Sequence, residues 1–184
     1  MKEGRSVLVL GCGMSGLLQI QLAKRNGCRV AATDVVDIKL DLAKSFGADL
    51  AVRADGDVPG RVTEFFGHKP EVVMLCASAI PAVEQAWKSV DKGGAVVFFA
   101  VPGPEKSVVI PVNDFWTKEV RVLTSYYCGP PDIQESMALL AAGTIDVERL
   151  ITHRLPLSET RHGFDLVLAG DAAIKVIIKP HGLS

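Results

Sequence analysis

Neither sign of charge predominates in this sequence: 20 Lys and Arg stand against 21 Asp and Glu in 184 residues. Without a basic excess there is nothing to condense onto nucleic acid or an anionic membrane, so a polyanionic partner is disfavoured. Long apolar runs are also missing. The longest, around residues 95–102, is strand-sized, whereas crossing a bilayer takes about 20 consecutive apolar residues. The opening Met-Lys-Glu-Gly-Arg is charged and the apolar stretch after it breaks at Gly11, unlike a signal peptide, so a cytoplasmic location is expected. Cysteine is sparse. Cys12, Cys28, Cys76 and Cys128 contain no Cys-x-x-Cys pair, which argues against a disulfide framework or a cysteine-built zinc site and for buried free thiols. His68, His153, His162 and His181 are isolated, with no second ligand three or four residues away, so no metal role is expected of them. Spacing alone supports no Ser/His/Asp or Cys/His arrangement. Internal repeats, charge blocks and low-complexity stretches are absent.

What the sequence does contain is 48% hydrophobic and 22% charged residues, enough for one folded principal domain. Over the first 130 residues, two kinds of segment alternate. Apolar runs at residues 6–10, 29–33, 71–76 and 95–101, with weaker ones at 50–53 and 120–125, predict strands. Their apolarity is continuous rather than alternating, the condition of a parallel sheet covered on both faces. Between them lie helical periods: Leu18, Leu22 and Ala23 before Gly27; Ile38, Leu42 and Phe46 before Gly47; Val83, Trp87 and Val90 before Gly93. Pro81 suits a first helical turn. Repeated strand–helix–strand units predict a doubly wound α/β sheet. Beyond residue 130, Asp132 and Glu135 resemble a capping box for a helix through Ile133, Met137 and Leu140. Ser158 is placed to cap another through Phe164 and Leu168, and residues 174–179 predict a last strand.

Gly11-Cys12-Gly13-Met14-Ser15-Gly16 is Gly-x-Gly-x-x-Gly, and it follows a predicted strand and opens a predicted helix. Gly11 permits the tight turn, Gly13 lets a pyrophosphate meet bare backbone, and Gly16 lets helix pack on strand. The N–H groups of the loop and the positive helix end face the phosphate charge. Asp34 ends the second apolar run, 18 residues beyond Gly16, where a carboxylate can accept from both adenosine ribose hydroxyls. A 2′-phosphate there would set two negative groups side by side, and Val35-Val36 offers no Arg to offset them, so NAD is favoured over NADP. A Rossmann fold binding NAD is the expectation.

These residues resemble the medium-chain, zinc-type alcohol dehydrogenases, in particular the sorbitol and threonine dehydrogenase branch. The resemblance runs through Ser-Val-Leu-Val-Leu-Gly (6–11), Gln-Leu-Ala-Lys (21–24), Leu-Ala-Lys-Ser-Phe-Gly-Ala-Asp (42–49) and Lys-Gly-Gly (92–94). It continues in Ile-Thr-His-Arg-Leu-Pro-Leu (151–157) and Ala-Ile-Lys-Val-Ile-Ile-Lys-Pro (173–180). By that resemblance the loop residues, Met14 and Ser15 included, hold the pyrophosphate; Lys39 lies against the ribose and Lys175 approaches the pyrophosphate. Cys76, Ala77 and Ser78 match the turn beside the nicotinamide ribose, Ala100 and Val101 the backbone that holds the carboxamide, and Arg121 and Leu123 the next strand near the nicotinamide. Leu75 stands where an acidic residue is common and Ser78 where a glycine is.

The resemblance further implies a barrel-like domain of zinc ligands, proton relay and substrate pocket that this sequence does not match, so zinc is expected only there and no catalytic residue is expected here. Residues 1–150 are expected to form the NAD-binding domain and 151–184 a tail whose helix and strand rejoin the missing domain, with residues 174–178 either mobile or paired elsewhere. The segment Ser107, Val108, Val109, Ile110, Pro111 and Val112 is implied to pair with its copy in a homodimer, and the complete enzyme to act on a small alcohol or polyol. Two other classes stay open: a noncatalytic dinucleotide-sensing or assembly module, and a methyltransferase. The latter lacks support, because Cys-Ala-Ser-Ala (76–79) follows the fourth strand where some such enzymes have an Asn/Asp-Pro-Pro-aromatic motif.

Overall fold

The continuous apolar runs become a parallel sheet. A computed structural model describes residues 2–180, and His181 lies outside them. Six strands, β1 (Ser6–Leu10), β2 (Arg29–Asp34), β3 (Leu50–Arg53), β4 (Val72–Leu75), β5 (Ala95–Phe98) and β6 (Arg121–Thr124), lie in the order β3-β2-β1-β4-β5-β6. All five pairings are parallel, so every carboxyl end emerges at one edge. This is the doubly wound order of dinucleotide-binding folds, whose switch point lies between β1 and β4. Helices α1 (Met14–Arg25), α2 (Asp37–Ser45), α3 (Val58–Phe66), α4 (Ile80–Ser89) and α5 (Val112–Lys118) connect the strands.

Burial explains the alternation. Leu8, Leu10, Ala31, Val73, Leu75, Val96 and Phe98 form one core face with Val58, Val62 and Phe66 of α3 and Val83, Ala86 and Trp87 of α4. The intervening residues Val7, Val9, Val30 and Ala32 are fully buried too, as strand alternation requires when both faces are covered. Trp87 anchors the α4 side, with its ring 5.5 Å from Phe98 and edge-on to Phe115 at 5.2 Å, while its Nε1–H donates to Val109 O at 3.1 Å.

Several predicted helix faces rotate. In α1 the buried residues are Gly16, Leu17, Ile20 and Ala23 rather than Leu18 and Leu22, and in α2 Leu40 and Ala43 rather than Ile38 and Leu42. The helix α3 was not anticipated, because Pro59-Gly60 reads as a breaker. Here both occupy the first turn, where Asp57 Oδ1 accepts from Gly60 N at 3.0 Å and a proline costs no hydrogen bond.

The contacts divide the chain into Met1–Gly129 and Pro130–Ser184. The second unit holds α6 (Pro130–Ala141), β7 (Ile151–Pro156), α7 (Thr160–Ala169) and β8 (Lys175–Lys179). None of α6 is buried. The expected last strand exists and pairs in parallel with β7, a strand the sequence reading did not single out. Ser158 does not cap α7: a 3-10 turn over Leu157–Glu159 comes first and Glu159 takes the N-cap position. Among the described residues, no helix is long and apolar enough to cross a membrane. The thiols are all unbridged; Cys12 and Cys28 are buried as expected, Cys76 is half-buried, and Cys128 is exposed, contrary to expectation.

Candidate functional site

The loop between β1 and α1 has the shape its glycines require. Gly11 sits at φ +97°, in the left-handed region that side chains resist, and its N–H donates to Thr33 O at 2.8 Å. A Cβ on Gly11 would lie 2.9 Å from Ala77 Cβ, so the turn after β1 and the turn after β4 touch. A Cβ on Gly16 would fall 1.9 Å from Gly11 O, which no side chain can occupy. Gly13 is the opposite case: nothing lies within 4 Å of its would-be Cβ, leaving bare backbone facing open space. Gly13 is also the N-cap of α1, with no side-chain cap, and the first turn holds no acidic residue. Met14 and Ser15 follow at the helix entrance. Such a cradle fits a diphosphate by shape and by helix dipole.

Asp34 closes β2 and is held in place by the loop itself. Its Oδ2 accepts from Cys12 N at 2.8 Å and its Oδ1 from Val36 N at 3.0 Å, fixing the carboxylate beside the cradle. Cys12 is structural: its Sγ–H donates to Thr33 O at 3.4 Å, and burial, followed by the Asp34 charge, pushes its thiol far up. Lys39, on the first turns of α2, is half-buried and close enough for its charge to act on Cys12.

Cys76, Ala77 and Ser78 follow β4 at the switch point, where Cys76 N donates to Leu10 O at 2.9 Å. Burial pushes the Cys76 thiol up to about 11, against a smaller opposing effect of its hydrogen bond with Ser15. Ala100, whose N donates to Leu75 O at 2.9 Å, and exposed Val101 follow β5 at the same edge. Leu123 stands one residue from the carboxyl end of β6 and is half exposed.

Two predicted residues are not brought to this cluster within the first unit. Arg121 begins β6, in register with Ala95 at the amino end of β5, and its guanidinium donates to Gly93 O at 3.2 Å on the opposite edge of the sheet. Lys175 heads β8, in the second unit. The segment 107–111 forms no strand among the described residues.

One group went unnoticed in the sequence. Arg53 ends β3 in register with Asp34; its Nη1 donates to Asp37 Oδ1 at 2.7 Å and its Nη2 to Asp55 Oδ2 at 2.8 Å. The hydrogen bond from Arg53 holds the Asp55 carboxyl below the usual range. Spacings of 16 and two residues carry no pattern, so only the folded sheet edge reveals this cluster.

A zinc ion does not fit the described residues, among which no three His, Cys, Asp or Glu side chains converge to hold a metal.

Comparison with known proteins gives a consistent picture. A family model described as zinc-binding dehydrogenase matches residues 16–142. An alcohol dehydrogenase of Geobacillus stearothermophilus is 34% identical over 179 residues, 97% of this chain and 51% of that protein. A sorbitol dehydrogenase of Bombyx mori is 31% identical over 181 residues, 95% of this chain and 51% of its own length. A structure from Sinorhizobium meliloti 1021, assigned as a zinc-binding dehydrogenase and solved bound to NADP, superposes with a TM-score of 0.88 at 31% identity, covering 97% of this chain and 53% of that one. The chain thus spans about half the length of the curated relatives it matches.

Proposed function

Because the chain belongs to the zinc-binding dehydrogenase family, we propose that it is the NAD-binding portion of an alcohol or polyol dehydrogenase. The observation that carries this reading is the Gly11–Gly13–Gly16 cradle with the Asp34 carboxylate locked beside it. Gly13, Met14, Ser15 and Gly16 would hold the pyrophosphate by backbone and helix end, and Asp34 and Lys39 would hold the adenosine ribose. Cys76, Ala77, Ser78, Ala100 and Val101 would line the nicotinamide half. Leu123 would join them from β6. The bound coenzyme supplies hydride acceptance and donation. The chain's own residues bind and orient it and shield one face. Zinc and substrate contacts belong to other parts of such an enzyme.

Asp34 favours NAD over NADP, since its charge would oppose a 2′-phosphate and Val35 and Val36 bring no cation. Four unbridged thiols suit a reducing, cytoplasmic setting. The reading includes a homodimer through Ser107, Val108, Val109, Ile110, Pro111 and Val112. In its support, Val109 is 86%, Ile110 44% and Val112 69% exposed, leaving apolar side chains open to a copy. NADH fluorescence titration, together with alcohol-dependent NADH formation, tests the function. Saturable binding with negligible turnover by this chain alone is expected, and no binding would refute it.

A further inference from the structure

The β2–β3 corner of the nucleotide edge contains a cation that the sequence reading did not provide for. Asp34 and Arg53 close neighbouring strands at the same register position, so both side chains leave the sheet beside one another. From there Arg53 reaches back to Asp37, the first residue of α2 and three residues beyond Asp34. On the dinucleotide-binding reading, that turn would lie beside the ribose held by Asp34. An arginine so placed would ordinarily welcome a phosphate, because its planar fork matches phosphate oxygens. Here the fork is already engaged: Nε and Nη2 donate to Asp55 at 3.1 and 2.8 Å, and Nη1 donates to Asp37 at 2.7 Å.

We propose that Asp37 and Asp55 act as a specificity clamp, competing with a 2′-phosphate for the Arg53 guanidinium and thereby reinforcing the preference for NAD. The proposal rests on the dinucleotide-binding reading above and adds residues to its discrimination. Against an incoming phosphate the corner presents the carboxylates of Asp34, Asp37 and Asp55 beside the cations of Arg53 and Lys39, and two of those carboxylates hold Arg53. The Nε and Nη2 edge that would take a phosphate bidentately is the edge now given to Asp55, and Nη1 is drawn toward Asp37. All three clamp side chains are substantially exposed, at 46% for Arg53, 75% for Asp37 and 59% for Asp55, so their ion pairs are individually weak and removing them frees the arginine without disturbing the core.

The test is a titration of NADH and NADPH into the full chain carrying Asp37→Asn with Asp55→Asn, Arg53→Ala, or all three substitutions, with folding checked by circular dichroism. The double asparagine variant is expected to improve NADPH affinity relative to NADH by about tenfold. Arg53→Ala is expected to weaken NADPH at least about fivefold more in that background than in the native one, the signature of an arginine released by the change. An unchanged NADPH-to-NADH ratio in the double variant, or an equal effect of Arg53→Ala in both backgrounds, would overturn the clamp while leaving NAD binding intact. Failure of the native chain to bind NADH would overturn both. Should the double variant misfold, Asp55→Asn alone, which removes the carboxylate charge that holds Nε and Nη2, must show the same shift at smaller size and the same dependence on Arg53.

Discussion

The two ends of one sheet edge are built differently. At the β2–β3 end, each charged side chain at the strand termini is held: Asp34 by two backbone donors, and Arg53 by two carboxylates. At the β5–β6 end, Phe98 is buried and the exposed groups are apolar side chains on β6 and in the loops beyond the strands, with Val101 63%, Leu123 47% and Tyr126 98% exposed, and every residue of β6 is exposed. A preorganised polar end can recognise a ligand by itself, because its hydrogen-bonding groups pay little to reorganise on binding. An exposed apolar end contributes little until something covers it. On the proposed function, recognition by this chain concentrates at the adenosine end, and the nicotinamide end contributes less.

The contrast breaks most sharply at Gly16. Gly16→Ala should abolish NADH binding and cost about 3 kcal/mol in urea unfolding, because the added carbon collides with backbone rather than with a movable side chain. Asp34→Ala should weaken NADH at least about tenfold and NADPH less, as read by calorimetry, since it removes a charged acceptor along with the support of Cys12 N and Val36 N.

A thiol test sharpens the same divide. The raised Cys76 pKa means the folded state keeps a proton that the unfolded chain releases. Stability should be level below about pH 9 and fall as the pH climbs toward 11. Near neutral pH, iodoacetamide should label exposed Cys128 well before Cys76 or buried Cys12. The smallest effect is expected at the open end: Leu123→Ala should change NADH affinity less than about twofold and stability by no more than about 0.5 kcal/mol. A large loss there would erase the distinction between the two ends.

What the sequence revealed follows the same line. The loop and Asp34 were legible because local rules set both: glycine where a side chain cannot fit, and an acid at a strand end. The strands were legible from continuous apolarity, although β7 hid behind Thr152, His153 and Arg154 and is held as a strand by pairing with β8. Arg121 was placed by resemblance near the nicotinamide. Register with Ala95 puts it at the other edge, a fact about pairing that no linear pattern carries. The Arg53 clamp escaped for the same reason, its partners being joined only when β2 and β3 lie side by side. Helix α3 was hidden by residues that break a helix in its middle and begin one at its start.

The account is tested most directly by titrating ADP-ribose, which lacks the nicotinamide, into this chain beside NADH. If the adenosine end carries recognition, ADP-ribose will bind one per chain with a Kd within about threefold of that for NADH. ADP-ribose giving no heat while NADH binds would place recognition at the exposed end and contradict it.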